Sequence, residues 1–573
     1  MKKIKSGLKS RLANYGDAEF SFYLRKAFAK SMGYLDRDLE KPIIGITNTH
    51  SDLVSCHGTV PQLIKAVSDG IIEAGGLPLV FPTISLGESF VSPTSMYFRN
   101  LMSLDTEEMI KGQPLDAVVL IGGCDKTVPA QLMAAASANI PAIILVTGPM
   151  MTGNYQGERL GACTDCRRYW AAYRAGKVTD KEIEEITNSL CPTSGTCMVM
   201  GTASTMACMT EAMGMMLMGG AAIPAVQADR IRHARETGFN SVLLSNKQIR
   251  PTDIMNQPAI TNAIRVMLAI GGSTNALIHI AAIAGRLGYE LDYNKIDKMS
   301  RETPVLVDLK PSGIHYMEDL QNAGGMIPIF RELESLLDLE CLTVSGRKLG
   351  EELDMAPACW NQNVVKTLDN PIYPEGGIAV LKGNLAPDGA IIKQSAASKE
   401  LIKHTGRAIV FDGLEDLANR IDSPDLDVEA NDILVLRNAG PKGAPGMPEA
   451  GYLPIPRKLA QLGVTDMVRI SDARMSGTAF GTIVLHVSPE AAVGGNLAIV
   501  ETGDQICLDV EARTLNLLIS QEEIEKRLNS WKPKVYANIR GWEKIFIEHV
   551  EQAPKGCDLD FLVSVNNSGK VPV

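Results

Sequence analysis

The chain has 573 residues, of which 45% are hydrophobic, 21% charged and only 5% aromatic. At roughly 150 residues per domain this suits three or four small units or two large α/β ones, and the balance excludes a disordered or coiled-coil chain. The 56 Lys and Arg against 66 Asp and Glu leave a net charge of −10, and the longest uncharged apolar stretch, 212–226, is broken by Gly219, Gly220 and Pro224, so neither a nucleic-acid partner nor a membrane span is expected.

Taken in chain order, the basic residues 1–11 are not followed by an apolar core of a signal peptide, which points to a cytoplasmic protein whose eleven cysteines are reduced thiols. From residue 41 onward, short β-branched runs at 43–47, 77–84, 117–121 and 142–146 alternate with helical patterns at 60–74, up to about 111, and at 128–138. Such alternation predicts a parallel sheet with helices on its faces, and in that architecture chemistry gathers in the loops at the carboxyl ends of the strands. Asn48, Glu88 and Cys124 fall in those loops. Residues 198–217 and 260–284 read as long buried helices whose Met side chains fill the core rather than bind a ligand. Beyond about 370 the pattern changes to short strands at 378–381, 408–411, 433–436, 468–470, 482–487 and 497–500, with Pro387-Asp388-Gly389 as a turn. The expected organisation is an α/β fold with an N-terminal parallel-sheet domain over 1–370 and a C-terminal β-barrel-like domain over 371–573.

Three cysteines stand in loops that lead into helices. Cys124 lies in Gly122-Gly123-Cys124-Asp125-Lys126-Thr127, Cys56 in a polar loop from Asn48 to Gly58, and Cys197 in Cys191-Pro192-Thr193-Ser194-Gly195-Thr196-Cys197. Three thiols can hold an iron–sulfur cluster and leave one iron position open for substrate, whereas electron-transfer clusters take four. Asp125, Glu88 in a Gly-containing loop and Glu449 after Gly446-Met447-Pro448 offer the hard oxygen donors that Mg²⁺ prefers. Cys163-Thr164-Asp165-Cys166 is the one C-x-x-C, a weak signal for zinc or redox work without a second pair. Ser476 in Arg474-Met475-Ser476-Gly477-Thr478-Ala479-Phe480-Gly481 could act as nucleophile or base where charge stabilises its alkoxide. Gly271-Gly272-Ser273-Thr274-Asn275 is cradle-like but lacks the lysine of a P-loop, and there is no dinucleotide fingerprint.

Together these motifs resemble the dihydroxy-acid and sugar-acid dehydratase family over roughly 42–560, the order GGCDKT, CPTSGTC, RMSGTAFG being specific to it. The resemblance implies an N-terminal α/β domain holding an iron–sulfur cluster, a barrel-like domain closing the site, and a homodimer or homotetramer. By this resemblance Cys56, Cys124 and Cys197 are the cluster ligands, and Glu88, Asp125 and Glu449 hold Mg²⁺. Lys126 falls where the family carries a carbamylated lysine, a change that burial of the amine would favour. Ser476 corresponds to the base that removes the C2 proton, with Thr478 beside the substrate, while cluster iron and Mg²⁺ act as Lewis acids.

Glu88, the 201–206 stretch GTASTM and the 221–224 stretch AAIP resemble the aldonic-acid branch, which implies a [2Fe–2S] cluster, with [4Fe–4S] as the alternative. The expected activity is dehydration of an aldonate such as arabinonate or xylonate to a 2-keto-3-deoxy acid. The alternatives are a dihydroxy-acid dehydratase of branched-chain amino-acid biosynthesis, an iron–sulfur sensor, and a scaffold with structural zinc.

Overall fold

The computed structural model describes residues 7–10, 12, 15–359, 363–564 and 571–572. After helix α1 (Ala18–Ser31), strands β1 (Ile43–Asn48), β2 (Leu77–Pro82), β3 (Ala117–Gly122) and β4 (Ala142–Val146) alternate with helices α2 (Val60–Glu73), α3 (Ser95–Gly112) and α4 (Thr127–Ala138). The strands form a sheet in the order β2-β1-β3-β4, with every neighbouring pair parallel. Strands β3 and β4 are apolar along their whole length because both faces are covered. The β-branched runs therefore mark the sheet correctly, and the loops after β1, β2 and β3 open on one edge of it.

The region that follows is helical: a small hairpin of β5 (Gly153–Tyr155) and β6 (Glu158–Leu160), then α5 (Thr164–Arg174), α6 (Asp180–Leu190), α7 (Thr202–Ala212), α8 (Ala228–Lys247), α9 (Pro251–Ile254), α10 (Gln257–Ala269) and α11 (Asn275–Arg286). Two expectations need correction here. The helix expected over 198–217 is only α7, since Gly201 is extended at its start and Gly214 turns left-handed just beyond its end. The helix expected over 260–284 is two, α10 and α11, separated where Gly271 adopts φ +59°. An apolar periodicity continues across such a break and hides it. The methionines fill the core as expected: Met206, Met209, Met213 and Met216 are all buried among apolar neighbours.

After the short β7 (Tyr289–Glu290), which pairs with Val571–Pro572, strands β8 (Ala379–Gly383), β9 (Ala386–Ile392), β10 (Lys403–Asp412), β11 (Ile433–Arg437), β12 (Arg469–Ser471), β13 (Ile483–Ser488), β14 (Gln505–Asp509) and β15 (Thr514–Leu517) close a barrel in the order β10-β11-β12-β13-β9-β8-β15-β14. Its alternation is plain in β10 and β11. Ala408, Val410, Ile433 and Val435 point into the barrel core, while Ile409, Phe411, Leu434 and Leu436 pack outward against helices. Pro387-Asp388-Gly389 is not a turn but lies inside β9, where the pairing with β13 shifts register at Gly389. Residues 497–500 are not a strand either, because Asn496–Ile499 is a 3-10 turn. Strands β14 and β15 escape sequence reading because each has only two apolar inward positions, Ile506 with Leu508 and Leu515 with Leu517.

The chain after the barrel returns to the first half. Arg286 of α11 is buried between Asp558, at 2.6 Å, and Glu107 of α3, at 3.3 Å, and Arg99 of α3 donates to the carbonyls of Gly556 and Cys557. Removing one partner of such a buried network leaves uncompensated charge, so Arg286→Met is expected to lower stability by about 3–5 kcal/mol. Arg235→Met, which breaks only the exposed pair with Glu73, should cost under about 1 kcal/mol. Urea midpoints of the two variants check the contrast.

Candidate active site

A cavity of about 250 Å³ opens at the carboxyl ends of β1, β2 and β3, where the barrel meets the sheet, a size suited to a small molecule. Cys56, Glu88, Cys124, Asp125, Cys197, Glu449, Ser476 and Thr478 all line it, and Lys126 lies fully buried behind them. The structure thus brings together every site residue singled out in the sequence. The first half supplies Cys56, Glu88, Cys124, Asp125 and Cys197, and the barrel half supplies Glu449, Ser476 and Thr478.

Carboxylate oxygens of Glu88, Asp125 and Glu449 lie within 4.8 Å of one another. Lys126 Nζ sits among them, in contact with Asp125, 3.4 Å from Glu88 and 3.7 Å from Glu449. Arg474, also fully buried, donates to Glu449 at 2.6 Å and to Thr94 Oγ1 at 2.7 Å. Burial alone would raise the Glu88 pKa. Lys126 and Arg474, with the hydroxyls of Ser95 and Thr94, outweigh it and hold the carboxyl well below the usual carboxylate range. For Lys126 burial again works against the charge, as does Arg474, yet the three carboxylates prevail and its pKa rises. Burial thus favours the neutral amine, as expected, but without a metal ion the surrounding acids outweigh it.

The thiol loops are held by groups that the motifs did not reveal. Cys124 follows Gly123, where a Cβ would lie 1.8 Å from Thr147 Oγ1, so only glycine permits this approach. His57 is buried with its pKa lowered to about 4 by desolvation, and its Nε2 accepts from the backbone N–H groups of Gly123 and Cys124 at 3.2 and 3.4 Å. That arrangement assigns the ring proton to Nδ1, which faces Ser85 Oγ at 2.9 Å. His57 thus fixes the turn that aims Cys124. The Cys56 thiol meets that of Cys124, and this contact and burial push its pKa well above the ordinary value. Cys163 adds a further thiol to the cavity wall, its Sγ 3.2 Å from Cys197 Sγ, while Cys166 donates to the Cys163 carbonyl.

Ser476 stands on a tight turn after β12. Its Oγ is 2.8 Å from Thr478 Oγ1 and accepts from the Thr478 N–H at 3.4 Å. A Cβ at Gly477 would meet Ser273 at 2.6 Å, so the turn can press against the 271–275 segment only as glycine. That segment is a buttress rather than an anion cradle. Ser273 Oγ bonds Thr202 Oγ1 at 2.8 Å, and Asn275 Nδ2 donates to Glu449 at 3.3 Å. Beneath the turn, the buried amine of Lys393 donates to the Gly477 carbonyl at 3.3 Å, with its pKa lowered to about 7 by burial. Arg474, His57, Asn275 and Lys393 are the residues sequence reading missed. Arg474, His57 and Asn275 stood in motifs already noted, the head of RMSGTAFG, the loop around Cys56 and the 271–275 segment, but none was given a role, and Lys393 carried no signal.

Hard oxygen donors, thiols and a hydroxyl thus converge on one cavity at the mouth of a parallel sheet capped by a barrel. Residues 41–352 match the dihydroxy-acid/6-phosphogluconate dehydratase N-terminal family and residues 363–557 the corresponding C-terminal family. The chain therefore belongs to the dihydroxy-acid/6-phosphogluconate dehydratase family and is a hydro-lyase. It is 46% identical to an L-arabinonate dehydratase of Rhizobium leguminosarum bv. trifolii, over 96% of this chain and 95% of that protein. It is 45% identical to an L-arabonate dehydratase of Azospirillum brasilense, over 98% and 99%, and 44% identical to a 6-deoxy-6-sulfo-D-gluconate dehydratase of Pseudomonas putida, over 91% and 90%. No helix among the described residues is long and apolar enough to cross a membrane.

The depressed Glu88 pKa has a sign that can be measured. Its folded-state value lies below the ordinary 4.5, so its contribution to stability is complete above 4.5 and is lost progressively as pH falls from there through the lower folded-state value. In chelator-treated protein, the stability gap between wild type and Glu88→Gln is expected to be full at about pH 6 and to narrow steadily below about pH 4.5. Urea unfolding across that range provides the readout, and a gap that is flat with pH would contradict the assigned ion pairing.

Proposed function

We propose that this dehydratase acts on a 2,3-dihydroxy sugar acid, an aldonate such as arabinonate or xylonate, and delivers a 2-keto-3-deoxy acid. The observation that carries the reading is the convergence of three clustered carboxylates, three thiols and the Ser476 hydroxyl on one small cavity. The relatives named for arabinonate and sulfogluconate support a sugar acid as the substrate class.

The donor sets fit two groups of different softness. Cys56, Cys124 and Cys197 suit the iron of a [2Fe–2S] cluster, with [4Fe–4S] as the alternative. Glu88, Asp125 and Glu449 offer hard oxygens that all lie within 4.8 Å of one another, the donor type Mg²⁺ prefers. Divalent charge on those carboxylates would weaken their hold on the Lys126 ammonium and favour the neutral amine, which could then add carbon dioxide with loss of a proton and become a carbamate, a further oxygen donor. When bound, the two groups supply Lewis acidity, Mg²⁺ at the substrate carboxylate and C2 hydroxyl and iron at the C3 hydroxyl.

The side chains do the rest. Ser476 Oγ takes the C2 proton. A serine hydroxyl is too weak an acid to do this unaided, and positive charge at the site favours its alkoxide. Thr478 Oγ1, 2.8 Å away, orients that oxygen, and Lys393 pins the turn from below. Arg474 keeps Glu449 and Thr94 in place. Leu53, Val54 and Phe90 give the cavity wall an apolar stretch. Loss of the C2 proton and the C3 hydroxyl amounts to loss of one water, and the resulting enol tautomerises to the 2-keto-3-deoxy acid.

Anaerobic turnover of C5 and C6 aldonates beside 2,3-dihydroxyisovalerate, with iron, sulfide and Mg²⁺ analysed on the same sample, tests this reading. Keto acid from the aldonates alone is expected, with Ser476→Ala lowering kcat about 100- to 10,000-fold at unchanged iron content. Cys124→Ser is expected to be colourless. Turnover of dihydroxyisovalerate alone would replace the substrate class, and zinc without iron or sulfide would overturn the cluster assignment.

A further inference from the structure

Arg167 lies on α5, one helical turn beyond Cys163, and its backbone N–H bonds the Cys163 carbonyl at 3.3 Å. Its guanidinium stacks over the Tyr452 ring at 4.8 Å, and Tyr452 closes the same short turn that begins with Glu449. Arg167 is thus registered against both walls of the site. Among the described residues it is also the one cationic side chain lining the cavity, and it lines the neighbouring groove bounded by Trp170, Tyr452 and Phe480 as well, so it stands at the boundary between the two.

What sets Arg167 apart is that its hydrogen-bonding capacity is unused. The other arginines around it are paired: Arg159 with Glu318 and Asp319, Arg168 with Glu158 and Asp165, Arg174 with Asp422. The ion pairs of the described residues do not include Arg167, and its Nε is buried with no hydrogen-bond partner. Nε is closed off by its surroundings, so it is the terminal N–H groups of this half-buried side chain that a bound oxygen can reach. A stacked, planar guanidinium with free N–H groups is suited to receive two oxygens at once.

We propose that Arg167 is a specificity-determining residue that holds the end of the substrate remote from its carboxylate, by hydrogen bonds to oxygen acceptors beyond C3. This rests on the sugar-acid reading above. The reacting end belongs with the carboxylate cluster and Ser476, so the boundary position of Arg167 faces the remainder of the chain. The acceptors are either the hydroxyls of a neutral polyol tail or an anionic group at its terminus, such as a sulfonate or phosphate. An acid with an apolar tail gives Arg167 nothing to bind. On this view Arg167 selects a sugar acid over a branched-chain acid with no role in the proton or hydroxyl transfers.

The test compares wild type, Arg167→Met and Arg167→Lys on a C4, C5 and C6 series of neutral aldonates and on a C6 aldonate bearing a terminal sulfonate or phosphate. Binding of the same acids is measured by calorimetry in a Ser476→Ala background, where turnover does not interfere. Arg167→Met is expected to raise KM and weaken binding about 10- to 100-fold for the acids that engage the guanidinium. The effect should be largest for the longest tails, with kcat changed little, and Arg167→Lys should recover part of the loss. A loss confined to the anionic-tail acid would assign the acceptor as a terminal anion, and a loss graded along the neutral series would assign it as hydroxyls. Equal KM values for wild type and Arg167→Met on every acid, or an equal loss at C4 and C6, would overturn the proposal. Failure of wild type to turn over any aldonate would instead overturn the substrate class on which it rests.

Discussion

The constraint on which this architecture depends is the burial of two cations, Lys126 and Arg474, among three carboxylates at the mouth of the parallel sheet. Taking such charges out of water costs several kcal/mol for each ion, and only close pairing offsets it. Neither half of the chain can complete that pairing alone. The sheet half brings Glu88, Asp125 and Lys126, and the barrel half brings Glu449 and Arg474, whose second donor reaches back to Thr94 at the start of α3. Docking of the barrel on the sheet is therefore written into the electrostatics of the site. Charge neutralisation and site assembly are one event.

Backbone geometry sharpens what charge begins. The loops that carry Cys56, Glu88 and Cys124 leave the ends of β1, β2 and β3, where a parallel sheet turns all its strands in one direction. His57 then accepts from two successive N–H groups of the Gly123-Cys124 turn. A neutral imidazole suits this position, since a protonated ring has no lone pair to offer at Nε2. On the opposite wall, Gly477 lets the serine turn lie against Ser273, and Asn275 from the same segment bonds Glu449. The break between α10 and α11 thus has a purpose: a continuous helix would place no side chain there.

That break also explains how much of the protein was legible in its sequence. Strands β1 to β4 were readable because each is a short, largely apolar run bounded by turn-forming residues, β-branched in β1, β3 and β4 and with Leu, Val and Phe in β2. The residues lining the cavity were readable because thiols, acids and glycines cluster in short motifs. The groups that organise them were not. Arg474 acts on Thr94 across 380 positions, and Asn275 acts on Glu449 across 174, so no local pattern betrays the contact. The turn proposed at Pro387-Asp388-Gly389 failed for a related reason. Pro and Gly signal a bend, but in β9 the bend is absorbed by a shift of register against β13.

The two buried cations differ in a way that bears on chemistry. A guanidinium stays protonated in any protein environment, so Arg474 is a fixed positive charge whose geometry is set by Glu449 and Thr94. An amine can lose its proton, and Lys126 keeps its own only because the carboxylates around it outweigh the burial and the repulsion from Arg474. The same balance makes Lys126 responsive to whatever else those carboxylates bind. A divalent cation shared among Glu88, Asp125 and Glu449 would cancel the charge that stabilises the ammonium and leave burial and Arg474 to favour the neutral amine. Of the two cations, only Lys126 has a protonation state that the charge on those carboxylates can set. This gives a physical reason for lysine rather than arginine at the position next to Asp125.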